Sequence, residues 1–153
     1  SGGVIAKGKY IGQDRDSIWL FYGDDGKPAS SEHFLHGKKD GLSVDFYPDG
    51  TTARTTSFVK GLRNGDYTEF FVDGKTKIKC RMKDDNFEGP FTLYYPNGFV
   101  YQKGNYVNGL KEGDWITYDE KGKESSREQF RRGVSQNPNF EPVKPIEVTD
   151  PEK

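Results

Sequence analysis

Two histidines, one cysteine and two adjacent pairs of aspartates are the residues of this 153-residue chain best equipped for chemistry. His33 and His36 flank Phe34, and a metal centre built on them would need further ligands nearby. Glu32 is the only carboxylate beside them. Both histidines are therefore expected in solvent at a strand end. Cys80 could act as a nucleophile only beside a group that lowers its pKa, and no histidine stands near it. Being alone, it excludes an internal disulfide and a CxxC metal knuckle. Asp24-Asp25 and Asp84-Asp85 lack the spaced oxygen ligands of a calcium loop and read as turn residues. There is no phosphate loop, no GxSxG and no paired-carboxylate motif. The expectation is a protein that is not an enzyme, with no catalytic residue, no metal and no cofactor.

Composition points away from a thick core. Hydrophobic residues make up 31% and aromatics 14%, and there are 19 glycines. Apolar material held in a few large flat side chains, cut often by turns, suits a thin sheet whose rings cover one another. The net charge is -1 with both signs interspersed, so no nucleic-acid footprint follows. No apolar run approaches membrane-spanning length, and membrane contact through the body of the chain is not expected. The chain opens Ser1-Gly2-Gly3 and its only methionine is Met82. Residues 1–6 read as a tag scar or flexible N-terminus, with any signal sequence already removed.

The elements that would position any site come from a repeat. The stretches 41–50 "GLSVDFYPDG", 65–74 "GDYTEFFVDG", 89–98 "GPFTLYYPNG" and 113–122 "GDWITYDEKG" follow one another at intervals of 24 residues, and 17–26 "SIWLFYGDDG" is a weaker first copy. Gly41, Gly65, Gly89 and Gly113 open the copies. Trp19, Tyr67, Phe91 and Trp115 share one column, with Ser43 in the second copy. Tyr22, Phe46, Phe70, Tyr94 and Tyr118 share another, aromatic throughout. Phe34, Phe58, Met82, Tyr106 and Phe130 form a third. "KGKYI" at 7–11 matches "KGNYV" at 103–107, so the array begins with a half repeat at 7–12 and continues with five repeats from about 17, 41, 65, 89 and 113.

Each unit holds two short runs separated by Pro-Asp-Gly, Val-Asp-Gly or Pro-Asn-Gly, which is hairpin chemistry. Nothing sustains a helical period. The fold class is therefore all-β: an elongated, twisted, single-layer antiparallel meander of tandem 24-residue hairpins, eleven strands in all, without substantial helix. By alternation along each strand, the Trp19 column is expected on one face. The Tyr22 and Phe58 columns are expected together on the other.

The pattern resembles the MORN repeat in its longer bacterial variant form, most closely in "GLKEGDWITYDEKG" (109–122) and "GLRNGDYTEFFVDG" (61–74). The resemblance spans 7–133. It implies a single-layer ribbon that serves as an interaction scaffold for proteins, helices or lipids, with no family catalytic residue to carry over. Ser17, Ser43, Gly23 and Asp85 depart from the pattern, which would make the first copy a distorted unit or a cap. Bacterial variant-repeat proteins are often antitoxin-like and others look exported. The resemblance therefore implies an unknown protein partner, with toxin neutralisation as the sharpest form. An exported or envelope-associated module binding glycan or lipid is the alternative. A bacterial, exported or periplasmic setting is favoured over a cytoplasmic one, with the chain a monomer or a weak dimer through a sheet edge.

Aromatics beyond the needs of the repeat are the candidate contacts. The Tyr95 column reads Gly23, Tyr47, Phe71, Tyr95, Asp119, aromatic only in the middle copies. Phe99 and Tyr101 stand where other copies carry Thr51, Lys75, Ala53 or Lys77. Tyr47, Phe71, Tyr95, Phe99 and Tyr101 are thus the expected partner-binding residues. Residues 134–153 form a tail with four of the eight prolines and a charge of -2, from Lys144 and Lys153 against Glu141, Glu147, Asp150 and Glu152. It reads as an extended tail, or as a cover for the last sheet edge through Val143–Val148.

Overall fold

The computed structural model describes residues 3–137. The residues expected to cover the last edge lie outside them. Thirteen strands form one antiparallel sheet. The first seven are β1 (Ala6–Ile11), β2 (Asp14–Tyr22), β3 (Pro28–Leu35), β4 (Lys38–Phe46), β5 (Thr52–Val59), β6 (Leu62–Phe70) and β7 (Thr76–Lys83). The rest are β8 (Asn86–Phe87), β9 (Gly89–Tyr94), β10 (Val100–Val107), β11 (Leu110–Tyr118), β12 (Glu124–Arg131) and β13 (Val134–Ser135). They lie side by side in chain order, except that β8 sits beside β7 off the main path. The two strands beyond the expected eleven are β13 and the short β8. The latter is the start of the β9 strand, cut off at Glu88, close to Pro90, which has no N–H to give to a ladder.

Two turn types alternate. The wide loops, such as Tyr47-Pro48-Asp49-Gly50, close with a bond from the Gly50 amide to the Tyr47 carbonyl at 2.8 Å. Only the glycine of that loop takes positive φ (86°). This is a type I turn ending in a bulge, with the proline at its second position, rather than a two-residue Asp-Gly turn. The narrow turns carry positive φ at both central residues: 51° and 88° at Lys60 and Gly61, 46° and 69° at Asp84 and Asp85. That is the type I′ pattern. Aspartate tolerates it, so Asp85 keeps the turn that glycine makes elsewhere. Ser17 likewise reaches φ 60° in the column where Gly41 has 110°. Ser17 pairs with Phe34 as Gly41 pairs with Phe58. The first hairpin is therefore a regular copy, not a distorted one.

The faces divide differently from the expectation. Residues directly opposite in an antiparallel pair share a face. Trp19 stands opposite Glu32, and Phe34, two residues further along, lies on that same face. A one-residue bulge beside each wide loop (Ala29, skipped between the Tyr22–Pro28 and Phe21–Ser30 pairs) inverts the odd–even count between strands, so the Phe34 column joins the Trp19 column. Tyr106 packs edge-on to Trp115 at 5.0 Å and to Phe91 at 5.5 Å, and Phe130 packs on Trp115 at 6.4 Å. The Tyr22 column stays on the opposite face, half-buried.

In a single layer these rings need other cover. Arg15 lies 4.9 Å over Trp19 and 5.5 Å over Phe34, and Lys111 lies 4.2 Å over Trp115 and 4.9 Å over Phe130. Their alkyl stems shield the rings while the charged ends meet the π faces. Burial lowers the Lys111 pKa, against the opposing pull of Glu128. In the fourth copy Phe87 takes this place, 5.7 Å from Phe91.

The two tryptophans each lie on a glycine. An added Cβ would come within 2.2 Å of Trp19 at Gly8 and 2.3 Å of Trp115 at Gly104. Their indole N–H groups donate to the carbonyls of Lys9 (3.0 Å) and Asn105 (3.3 Å). The second copy has the reverse arrangement, Glu32 opposite the small Ser43. There the aromatic core is interrupted by buried Ser43 and Thr56, and the Ser43 Oγ has no hydrogen-bond partner among the described residues. An orphaned buried hydroxyl is costly. Ser43→Ala is expected to raise stability by about 1 kcal/mol in urea denaturation. A loss of that size would show that the hydroxyl is bonded.

Neighbouring hairpins are laced at both ends. Asp40, Asn64, Glu88 and Glu112 occupy one column. Their side-chain oxygens accept the turn amides of Lys60 (3.0 Å), Asp84 (3.2 Å), Asn108 (2.7 Å) and Arg132 (2.7 Å). At the wide-loop end Lys27 donates to the Pro48 carbonyl at 3.2 Å and Lys75 to the Pro96 carbonyl at 3.3 Å.

Candidate binding surface

The wide loops place the aromatics expected to bind. Tyr47, Phe71 and Tyr95 begin the second, third and fourth loops, and all three are half-buried. The Tyr47 hydroxyl donates to the Phe70 carbonyl at 2.6 Å and the Tyr95 hydroxyl to the Tyr118 carbonyl at 2.9 Å. Each thereby ties its loop to the next hairpin. Phe71, with no hydroxyl, makes no such bond. Lys75 laces that loop instead, and Asn97 adds a second tie from the fourth loop through the Glu120 carbonyl at 2.9 Å.

Three of the five residues share one loop end, where the Tyr95 amide donates to the Phe99 carbonyl at 2.8 Å, and two of them touch ring to ring. Tyr101, the extra residue of the bulge opposite Tyr94 and Leu93, stands edge-on to Tyr95 at 5.0 Å. Phe99 reaches across to the last loop, where a Cβ on Gly122 would meet its ring at 3.2 Å. Phe99 is 50% exposed and Tyr101 38% exposed. Tyr47 and Phe71 sit on the two preceding loops, apart from this cluster. The tyrosine ties across loops were not read from the sequence. Their signal would have been the alternation of Lys27, Tyr47, Lys75 and Tyr95, one long donor per loop.

The groups with chemical potential are occupied by the fold. His36 is the first central residue of a type I′ turn, with φ 49°. His33 is half-buried rather than free in solvent, and its Nδ1–H donates to the Asp40 carbonyl over Gly41. The Asp25 carboxylate accepts the Lys27 amide at 3.0 Å. The Asp85 carboxylate accepts the backbone N–H of Arg63 at 2.8 Å and its side chain at 3.0 Å, which lowers the Asp85 pKa. Among the described residues no three of His, Cys, Asp or Glu gather to hold a metal ion. Cys80 is buried under the Tyr67 and Phe91 rings' side of the sheet, and burial, with the Glu69 carboxylate adding to it, pushes its thiol up to about 12. At pH 8 it holds almost no thiolate, so iodoacetamide should label it slowly in the native protein and readily in urea. Equal rates in both would place Cys80 at the surface.

A sheet built from one hairpin repeated in register, held by interlocking columns and loop ties, defines the chain as a tandem β-hairpin repeat protein. Within it, residues 87–108, from Phe87 through the aromatic loop to the next turn, match the family model of the MORN repeat variant. The MORN repeat is a non-catalytic repeat module. No curated protein matches the chain.

Proposed function

We propose that this protein is a binding module whose partner is another protein, with neutralisation of a toxin as the most specific form of that role. The observation that carries the reading is the cluster of Tyr95, Phe99 and Tyr101. Phe99 and Tyr101 are large apolar side chains left open at a position where the fold is content with Lys, Thr, Ala or Ser. Exposed aromatics held rigidly at a loop end are what interface hot spots are made of. The loop ties support the reading, because they fix the backbone that presents the rings and so lower the ordering cost of association.

The test is affinity capture from an extract of the source organism, with the native protein and with Phe99→Ser/Tyr101→Ser as baits. Both side chains stand outside the buried core, so the variant should keep its circular dichroism. A protein retained by the native bait and lost by the folded variant supports the reading. Equal retention by both removes the aromatic cluster from the interface. Retention of glycan or lipid and no protein would favour an envelope module instead.

A further inference from the structure

Strand β7 departs from every other copy of its strand. Lys79, Arg81 and Lys83 alternate with the buried Cys80 and Met82, so all three cations project from the outer face, and Lys77 follows on the bulge of the same strand. Alternate residues on a strand stand about 6.6 Å apart. The other second strands, β1 included, carry Lys7, Ser31, Thr55, Lys103 and Arg127 in the Lys79 column, Lys9, His33, Ser57, Asn105 and Gln129 in the Arg81 column, and Ile11, Leu35, Val59, Val107 and Arg131 in the Lys83 column. No other copy places a cation in all three.

The fold gains nothing from this row. Among the described residues the side chains of Lys77, Lys79 and Lys83 make no ion pair or hydrogen bond. Arg81 has one exposed contact with Asp66 at 3.4 Å. Like charges in a row repel, and Lys83 stands in a column that is aliphatic in every other copy but the last, which has Arg131. The flanking positions suit a ligand. Thr68 and Thr92 stand on either side of Lys79. At the narrow-turn end Arg81 and Lys83 border an open hollow of about 420 Å³, shared with Asn64, Glu88 and Pro90 and opened by Gly65 and Gly89. At the other end of the strand Lys75 bonds to the Pro96 carbonyl, next to Tyr95. The row therefore leads into the aromatic cluster.

We propose that the outer face of β7 docks an extended acidic segment of the protein partner, its alternate carboxylates meeting Lys79, Arg81 and Lys83. This rests on the protein-binding reading above and names the partner's chemistry. Carboxylates on alternate residues of an extended chain have the same spacing of about 6.6 Å as the cations. The row is one strand wide, with Asp66 on one side and Glu88 on the other. A nucleic acid or an anionic bilayer would lay charge over those acids as well, whereas a single extended segment need not.

The test uses a fluorescent peptide of about twelve residues alternating Glu and Thr, an oligothymidylate, and vesicles containing phosphatidylserine. Anisotropy or co-sedimentation is read at about 50 mM and about 300 mM salt, where the screening length falls from roughly 14 Å to 6 Å. The native protein should bind the peptide. Lys79→Glu/Lys83→Glu should weaken binding at least about tenfold, as should the higher salt, and Lys79→Gln/Lys83→Gln should weaken it less. Lys7→Glu/Lys9→Glu, on β1, should bind as the native protein does. The proposal is overturned if the native protein ignores the peptide, if the reversed variant binds it undiminished while folded, or if oligothymidylate or vesicles bind in its place. Persistent capture of a protein from extract without peptide binding would sink the acidic-segment proposal alone. Peptide binding through β7, with capture indifferent to Phe99 and Tyr101, would sink the aromatic reading alone.

Discussion

Gly104→Val should destabilise the protein by about 3–5 kcal/mol, the cost of losing a packed tryptophan. The side chain of Trp115 lies on Gly104, and a Cβ there would stand 2.3 Å from atoms at the centre of the indole. The ring cannot shift without cost, because its N–H is bonded to the Asn105 carbonyl and Phe91, Tyr106 and Phe130 surround it. Backbone strain is not the reason, since Gly104 lacks the positive φ of the turn glycines. A second substitution separates the two: Trp115→Ser in the Gly104→Val background should be less destabilising than the separate costs added together. The second copy already pairs the bulky Glu32 with Ser43. Urea denaturation of the two single variants and the double variant closes the cycle. Strict additivity would mean that the glycine and the tryptophan do not depend on each other.

Phe91→Ala is expected to cost a similar 3–5 kcal/mol, and to act locally. Phe91 is 3% exposed and touches the rings of Phe87, Tyr106 and Trp115. It holds together the continuous cluster that runs from Tyr67 to Phe130. The rings around Trp19 and Phe34 lie on the far side of the polar interruption at Ser43 and Thr56. In a repeat array stability is close to a sum over neighbours. Amide exchange in the variant should accelerate in β9 to β12 first and leave β2 and β3 near their native rates. Uniform acceleration along the chain would show that the sheet unfolds as one unit despite the interruption.

Much of this architecture was legible because the repeat displays each constraint four or five times. Glycine at 41, 65, 89 and 113, and an aromatic at 22, 46, 70, 94 and 118, fixed the hairpin and its period without any appeal to contacts. What escaped was whatever depends on the count across a turn. One bulge residue beside each wide loop, Ala29 in the first copy, shifts the pairing by one, so Phe34 and its equivalents face the way that Trp19 does, and alternation within one strand cannot show it. Nor does the spacing of the glycines show that Gly65 belongs to a bulge inside β6, four residues after Gly61 of the type I′ turn. The role of Tyr47 and Tyr95 was half visible. Their aromatic character marked them as additions to the repeat, but the carbonyls they bond lie 23 residues away, one hairpin on. The cation row on β7 could have been read from Lys77, Lys79, Arg81 and Lys83 alone. It was masked by the near-neutral total charge, which averages over faces.

The proposed division of labour makes one face of the sheet structural and assigns the partner to the surface from the fourth wide loop along the outer side of β7. Hydrogen–deuterium exchange of the native protein, alone and with the protein it captures from extract, tests this most directly. The account predicts new protection at residues 95–101 and along 77–83, with β2 and β3 unchanged. Protection confined to β1 to β3, or spread evenly over all hairpins, would contradict it.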